Sequence, residues 1–216
     1  LGGLDSHDSF CAQLAKDTNM TVIATDYRLA PEAPYPAGLD DLSQVYLALL
    51  EQDPTPIILM GDSAGGNLVA ALALRCASRS WPKALGQVLI YPALAAPETL
   101  ASHKALADAP LLDSASMAFC WRNYISPKTD TREPEVYPLQ AISMDGLPTT
   151  ALIAAEMDPL VDDSKCYHQK LKDAGIQTSL TIISGLVHGG LHGIGRSDEA
   201  NQLYTAICDE LKQLAN

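Results

Sequence analysis

The sequence predicts an α/β protein, a mostly parallel sheet with helices on both faces. Three observations carry that expectation. Short β-branched, apolar runs alternate along the chain with amphipathic or Ala/Leu-rich runs of helical length. The strand-like runs are apolar throughout, as strands covered on both sides are, with no polar face. A chain of 216 residues, 47% hydrophobic and 19% charged, is sized for one substantial core and is read as a single domain over 1–216.

In order, strands are expected at 21–25, 57–60, 87–90, 149–154 and 179–183. Helices are expected at about 6–17, 39–52, 66–78, 162–174 and 197–214. Residues 26–36 form a Pro-stiffened connection in which Tyr27 and Arg28 serve as anchors. Residues 93–138 break the alternation, being far longer than an ordinary connection. They carry Trp121, Tyr124, Tyr137, several prolines and a helical piece at 113–124. They are expected to form a cap-like insertion over the carboxyl edge of the sheet.

Residues 56–69 hold the chemistry. An apolar run enters Gly61-Asp62-Ser63-Ala64-Gly65, and an Ala/Leu-rich helical run leaves it. Strand, G-x-S-x-G turn and helix together make a nucleophile elbow, which exposes a serine Oγ above a sheet. Gly61 and Gly65 are expected where backbone packs on backbone and a Cβ would clash. Ala64 opens the following helix, so its N–H has no intrahelical acceptor and suits an oxyanion beside Ser63.

A serine hydroxyl needs a base within hydrogen-bond reach, and the base needs an acid to fix its tautomer. The strand at 149–154 runs into Glu156 and Asp158, with Asp162 and Asp163 just beyond. Asp158 is the preferred acid, with Glu156, Asp162 and Asp163 as competitors. The last two also suit the acidic first turn of a helix. The strand at 179–183 leads to His188, flanked by Gly185 and Gly189, and His188 is expected to be the base. His192 is read as a packing residue. His7, His103 and His168 are read as solvated or structural.

Five scattered cysteines without a C-x-x-C suggest neither disulfides nor zinc, and read as single buried thiols of a reducing compartment. No cofactor or metal is implied. A net charge of −12 disfavours nucleic acid and anionic membrane as partners. No apolar run is long enough to span a bilayer, so no membrane anchor is expected. The expected location is cytoplasmic; a leader upstream of Leu1 is left open.

Gly61-Asp62-Ser63-Ala64-Gly65-Gly66-Asn67, Asp26-Tyr27-Arg28-Leu29-Ala30-Pro31-Glu32, Asp158-Pro159-Leu160 and His188-Gly189 together resemble the hormone-sensitive-lipase-like carboxylesterases, in the Gly-Asp-Ser-Ala-Gly branch. The resemblance spans nearly the whole chain and implies an α/β-hydrolase fold. It implies Ser63 as nucleophile, His188 as general base and then acid, Asp158 as orienting carboxylate, and Ala64 as one oxyanion donor. The implied substrates are small esters of short or medium acyl chains, and relatives often dimerise through the sheet edge near the last strands. The family's remaining oxyanion donors, in a His-Gly-Gly-Gly block, and its first strands fall before Leu1. The chain is accordingly expected to be a fragment or a natural truncation. The competing expectation, a small-molecule-binding module on the same fold, is weakened by the presence of all three triad residues.

Overall fold

A computed structural model describes residues 2–53 and 55–216. Four strands form one sheet, β1 (Ile58–Asp62), β2 (Gly86–Ile90), β3 (Thr149–Met157) and β4 (Thr178–Val187), in spatial order β1-β2-β3-β4. All three pairings are parallel, in registers such as Ile58 opposite Gly86 and Val88 opposite Ala151. Parallel neighbours require long crossovers, and helices supply them.

The helices are α1 (Leu4–Thr18), α2 (Ala37–Gln52), α3 (Ala64–Ser78), α4 (Ala101–Ala105), α5 (Ser114–Tyr124), α6 (Val161–Asp173) and α7 (Asp198–Ala215). Local chemistry sets several of their ends. Asn19 ends α1 in the left-handed conformation. Asp113 caps α5 by accepting from Ser116 N, and Ser197 caps α7 by accepting from Ala200 N.

The two inner strands are the buried ones: β2 throughout and β3 over Thr150–Ala155, whereas β1 is half-buried and β4 is partly exposed. On one face Val88 and Ile90 of β2 and Ile153 of β3 pack with Leu14 of α1 and Leu203, Ile207 and Leu211 of α7. On the other face Leu89 and Leu152 pack with Val69 and Ala73 of α3 and Tyr167 and Leu171 of α6. A third cluster joins Leu39 and Tyr46 of α2 and Leu72 of α3 to Trp121, Val136 and Tyr137.

The expected strand at 21–25 is not part of the sheet. Residues 19–29 carry no regular secondary structure; Val22 is half-buried and Ile23 is 55% exposed. A β pattern becomes a strand only when a neighbour takes its N–H and C=O groups. Among the described residues β1 pairs only with β2, and no strand is offered to 21–25. The cysteine expectation also needs correction. Cys76 and Cys208 are buried, but Cys11 is only partly so, and Cys120 and Cys166 are exposed.

The 93–138 segment contains α4 and α5 and is fastened at several points. Asp163 accepts from Leu94 N at 2.7 Å, Ala95 N at 2.8 Å and His103 Nε2 at 2.7 Å. Asp162 accepts from Ser102 N at 2.9 Å. Near its far end Glu135 accepts from buried Arg75 of α3, which also donates to Asp40 of α2.

Candidate active site

In parallel strands of one sheet every carboxyl end lies on the same edge. β1 ends at Asp62, so Ser63 follows it there; β3 ends at Met157, so Asp158 follows it; β4 ends at Val187, so His188 follows it. Residues distant in sequence thus meet. Ser63 Oγ lies 2.8 Å from His188 Nε2, and His188 Nδ1 lies 2.7 Å from Asp158 Oδ2.

The elbow itself is strained. Ser63 has φ 53° and ψ −117°, a conformation rare for a residue with a side chain, and it lifts Oγ off the strand. Gly61 makes that turn feasible. A Cβ there would strike the Gly65 carbonyl and lie 2.8 Å from Gly66 N. Gly65 does not carry the crowding expected of it, since a Cβ there would meet only Asp62 Oδ1, at 3.9 Å. The second close approach belongs to Gly66, where a Cβ would lie 2.7 Å from Pro92 Cβ.

Asp158 is fully buried, and its other oxygen, Oδ1, accepts from Leu160 N at 2.9 Å. A carboxylate can only accept, so His188 carries its proton on Nδ1 and turns the Nε2 lone pair toward the Ser63 hydroxyl. Gly189 follows the histidine with φ 72°, a left-handed turn that favours glycine and starts the 3₁₀ turn Gly190–Gly193. Ala64 is exposed beside Ser63 as the first residue of α3. No carbonyl one turn earlier in α3 takes its N–H, which suits it to a developing oxyanion.

The competing carboxylates are engaged elsewhere. Glu156 accepts from Ser184 Oγ and Gly185 N and so cross-links β3 to β4. Those bonds hold its carboxyl below the ordinary range. Asp162 and Asp163, in the first turn of α6, hold the 93–138 segment; they are more than helix-end acids. His103 is buried against Asp163, His192 stacks edge-on to His7, and His168 reaches Thr178 Oγ1.

Sequence reasoning missed two residues. Asn67, one turn past the serine, donates to Ala93 O at 2.8 Å and Val136 O at 3.1 Å, tying both ends of the 93–138 segment to the elbow helix. Its place in Gly65-Gly66-Asn67 was the available signal. Tyr91, the residue after β2, has its ring 4.9 Å from that of His188. Among the described residues no group of three or more His, Cys, Asp or Glu gathers as a metal site. No described helix is long and apolar enough to cross a membrane. A groove between β4 and α7, lined by Thr181, Ile183, Asn201, Thr205 and Glu210, includes none of the residues around Ser63.

The family model described as alpha/beta hydrolase fold matches residues 1–192. Carboxylesterase NlhH of Mycobacterium tuberculosis is 37% identical over 199 residues, covering 88% of this chain and 62% of its own. The chain thus spans about three fifths of that relative. Ethyl acetate hydrolase of Pseudomonas putida is 32% identical over 221 residues, covering 99% of this chain and 69% of its own. A solved esterase of Pyrobaculum calidifontis superposes with a TM-score of 0.94 at 31% identity, over 100% of this chain and 73% of that one. The chain belongs to the α/β-hydrolase family, among its hormone-sensitive-lipase-like carboxylesterases.

Proposed function

We propose that the protein is a serine carboxylesterase that cleaves small esters of short or medium acyl chains. The hydrogen-bonded relay from Ser63 Oγ through His188 to buried Asp158 is the single observation that carries the reading. His188 Nε2 takes the Ser63 proton as Oγ attacks the ester carbonyl carbon. The resulting oxyanion is met by the Ala64 N–H. Collapse breaks the C–O bond to the alcohol, which leaves with the proton returned by His188. Water then attacks the acyl-enzyme, gives its proton to His188, and frees the acid as Ser63 recovers its hydrogen.

Asp158 keeps the imidazole in the required tautomer and offsets its charge while it is protonated. Residues 93–138 are read as a cap-like insertion that walls the acyl pocket; their attachment to Asn67, Asp163 and Arg75 supports a fixed wall. A preference for small esters is supported by the name of the Pseudomonas relative. A homodimer through the outer edge of β4 is also proposed, since among the described residues that strand pairs only with β3. Light scattering that gives a monomer mass would refute the dimer.

The test compares hydrolysis of p-nitrophenyl acetate and butyrate by the protein and by Ser63→Ala. A rate that disappears in the variant is expected. A wild-type rate no greater than that of Ser63→Ala would refute the esterase reading and favour a binding module.

A further inference from the structure

The four strands deliver four residues to the carboxyl edge: Ser63 after β1, Tyr91 after β2, Asp158 after β3 and His188 after β4. The proposed chemistry uses three of them, and the fourth is built in with care. Tyr91 is 1% exposed and has φ 34°, a left-handed value disfavoured for a bulky side chain. Its N–H donates to Ile153 O at 2.7 Å, which fixes its backbone to β3. Its ring lies 4.9 Å from the His188 ring, tilted by 57°. Its hydroxyl lies 3.5 Å from Asp62 Oδ2 in the elbow and accepts from Leu191 N, just past the histidine, at 3.3 Å. Burial pushes the phenol far above its ordinary pKa, so it remains a neutral donor.

These contacts join the parts whose alignment matters. The elbow carries the nucleophile, and a Gly-flanked loop carries the base. The hydroxyl spans from one to the other, while the ring closes one side of the imidazole. A strained backbone retained at such a place points toward a role for the side chain.

We propose that Tyr91 is a positioning residue that holds the His188 imidazole in line with Ser63 Oγ, its ring walling the imidazole and its hydroxyl tying the elbow to the histidine loop. The proposal rests on the reading of His188 as the base. Tyr91 acts through His188 and does not touch the substrate.

Tyr91→Phe keeps the wall and loses the tie; Tyr91→Leu loses both. Steady-state hydrolysis of p-nitrophenyl butyrate is measured well below each variant's melting temperature. The downfield proton signal of His188 Nδ1–H is recorded on the resting proteins and assigned by its absence from His188→Gln. Tyr91→Phe should lower kcat about three- to tenfold with KM unchanged, the loss of one hydrogen-bonded tie. Tyr91→Leu should lower it about a hundredfold, the scale of a misplaced catalytic group, and broaden or abolish the downfield signal. The proposal is overturned if kcat of Tyr91→Leu stays within about twofold of wild type, or if the signal persists unchanged in that variant. The signal needs no turnover. A wild type that fails to hydrolyse esters would therefore sink the esterase reading and leave the spectra to decide the role of Tyr91.

Discussion

Replacing Asp163 by alanine should cost more stability than any loss of apolar volume at that site explains. The carboxylate is fully buried and accepts three hydrogen bonds, from Leu94 N, Ala95 N and the equally buried His103. Removing it strands two backbone N–H groups and a histidine in the core. Each stranded donor costs about 1–3 kcal/mol. The three contributions overlap, so the expected total for Asp163→Ala is about 3–5 kcal/mol. Asp163→Asn keeps an acceptor for both N–H groups and should cost about 1–2 kcal/mol. For a chain of this size 1 kcal/mol moves Tm by about 2–4 °C, so the alanine variant should melt about 6–20 °C low and the asparagine variant about 2–8 °C low. Circular dichroism melts at neutral pH measure both. A Tm for Asp163→Ala within about 3 °C of wild type would refute the reasoning that this carboxylate fastens the start of the 93–138 segment.

Three further outcomes follow from the same geometry. Gly61→Ala should cost about a hundredfold or more in ester hydrolysis, because its Cβ strikes the Gly65 carbonyl and shifts the elbow, whereas Gly65→Ala should fold normally; equal folding and activity for the two would contradict this, as read by melting and p-nitrophenyl ester assays. The Arg28 guanidinium beside Asp41 holds that carboxyl below its ordinary 3.8, so the folded state binds this proton less readily than the unfolded chain. The pair's stabilisation is therefore present above pH 3.8 and lost as pH falls through the folded value, and the Tm–pH curves of wild type and Asp41→Asn should converge on the acid side. Asp62 raises the pKa of His7 above 6.5 against the lowering effect of burial, so the contact stabilises below pH 6.5 and fades as pH rises past the folded value. His7→Gln should accordingly lose more Tm against wild type at about pH 5.5 than at about pH 8.5; an equal loss at both would count against it.

Much of this was legible in the sequence, for physical reasons. The parallel sheet and the elbow announce themselves locally, through unbroken apolar runs and a G-x-S-x-G between strand and helix. Asp158 and His188 could be singled out as candidates because each directly follows a strand. What failed depended on neighbours distant in the chain. Residues 21–25 have the composition of a strand, but nothing in their own pattern says whether a partner lies beside them. Gly65 and Gly66 look alike in sequence; only the approach of Pro92 makes Gly66 the crowded one. The first-turn acids of α6 read as dipole partners until Leu94, Ala95 and Ser102 are seen to fold onto them. Tyr91 hid as an apolar strand end followed by proline, although the rule that exposed Asp158 and His188 applies equally to it.

The central claim is that Ser63 is activated by His188. Incubation of the protein with a fluorophosphonate, followed by digestion and mass spectrometry, tests it most directly. The account predicts a single phosphonyl adduct on the peptide containing Ser63, absent in Ser63→Ala and strongly slowed in His188→Gln. An adduct on another residue, or one that forms on Ser63 at the same rate without His188, would contradict it.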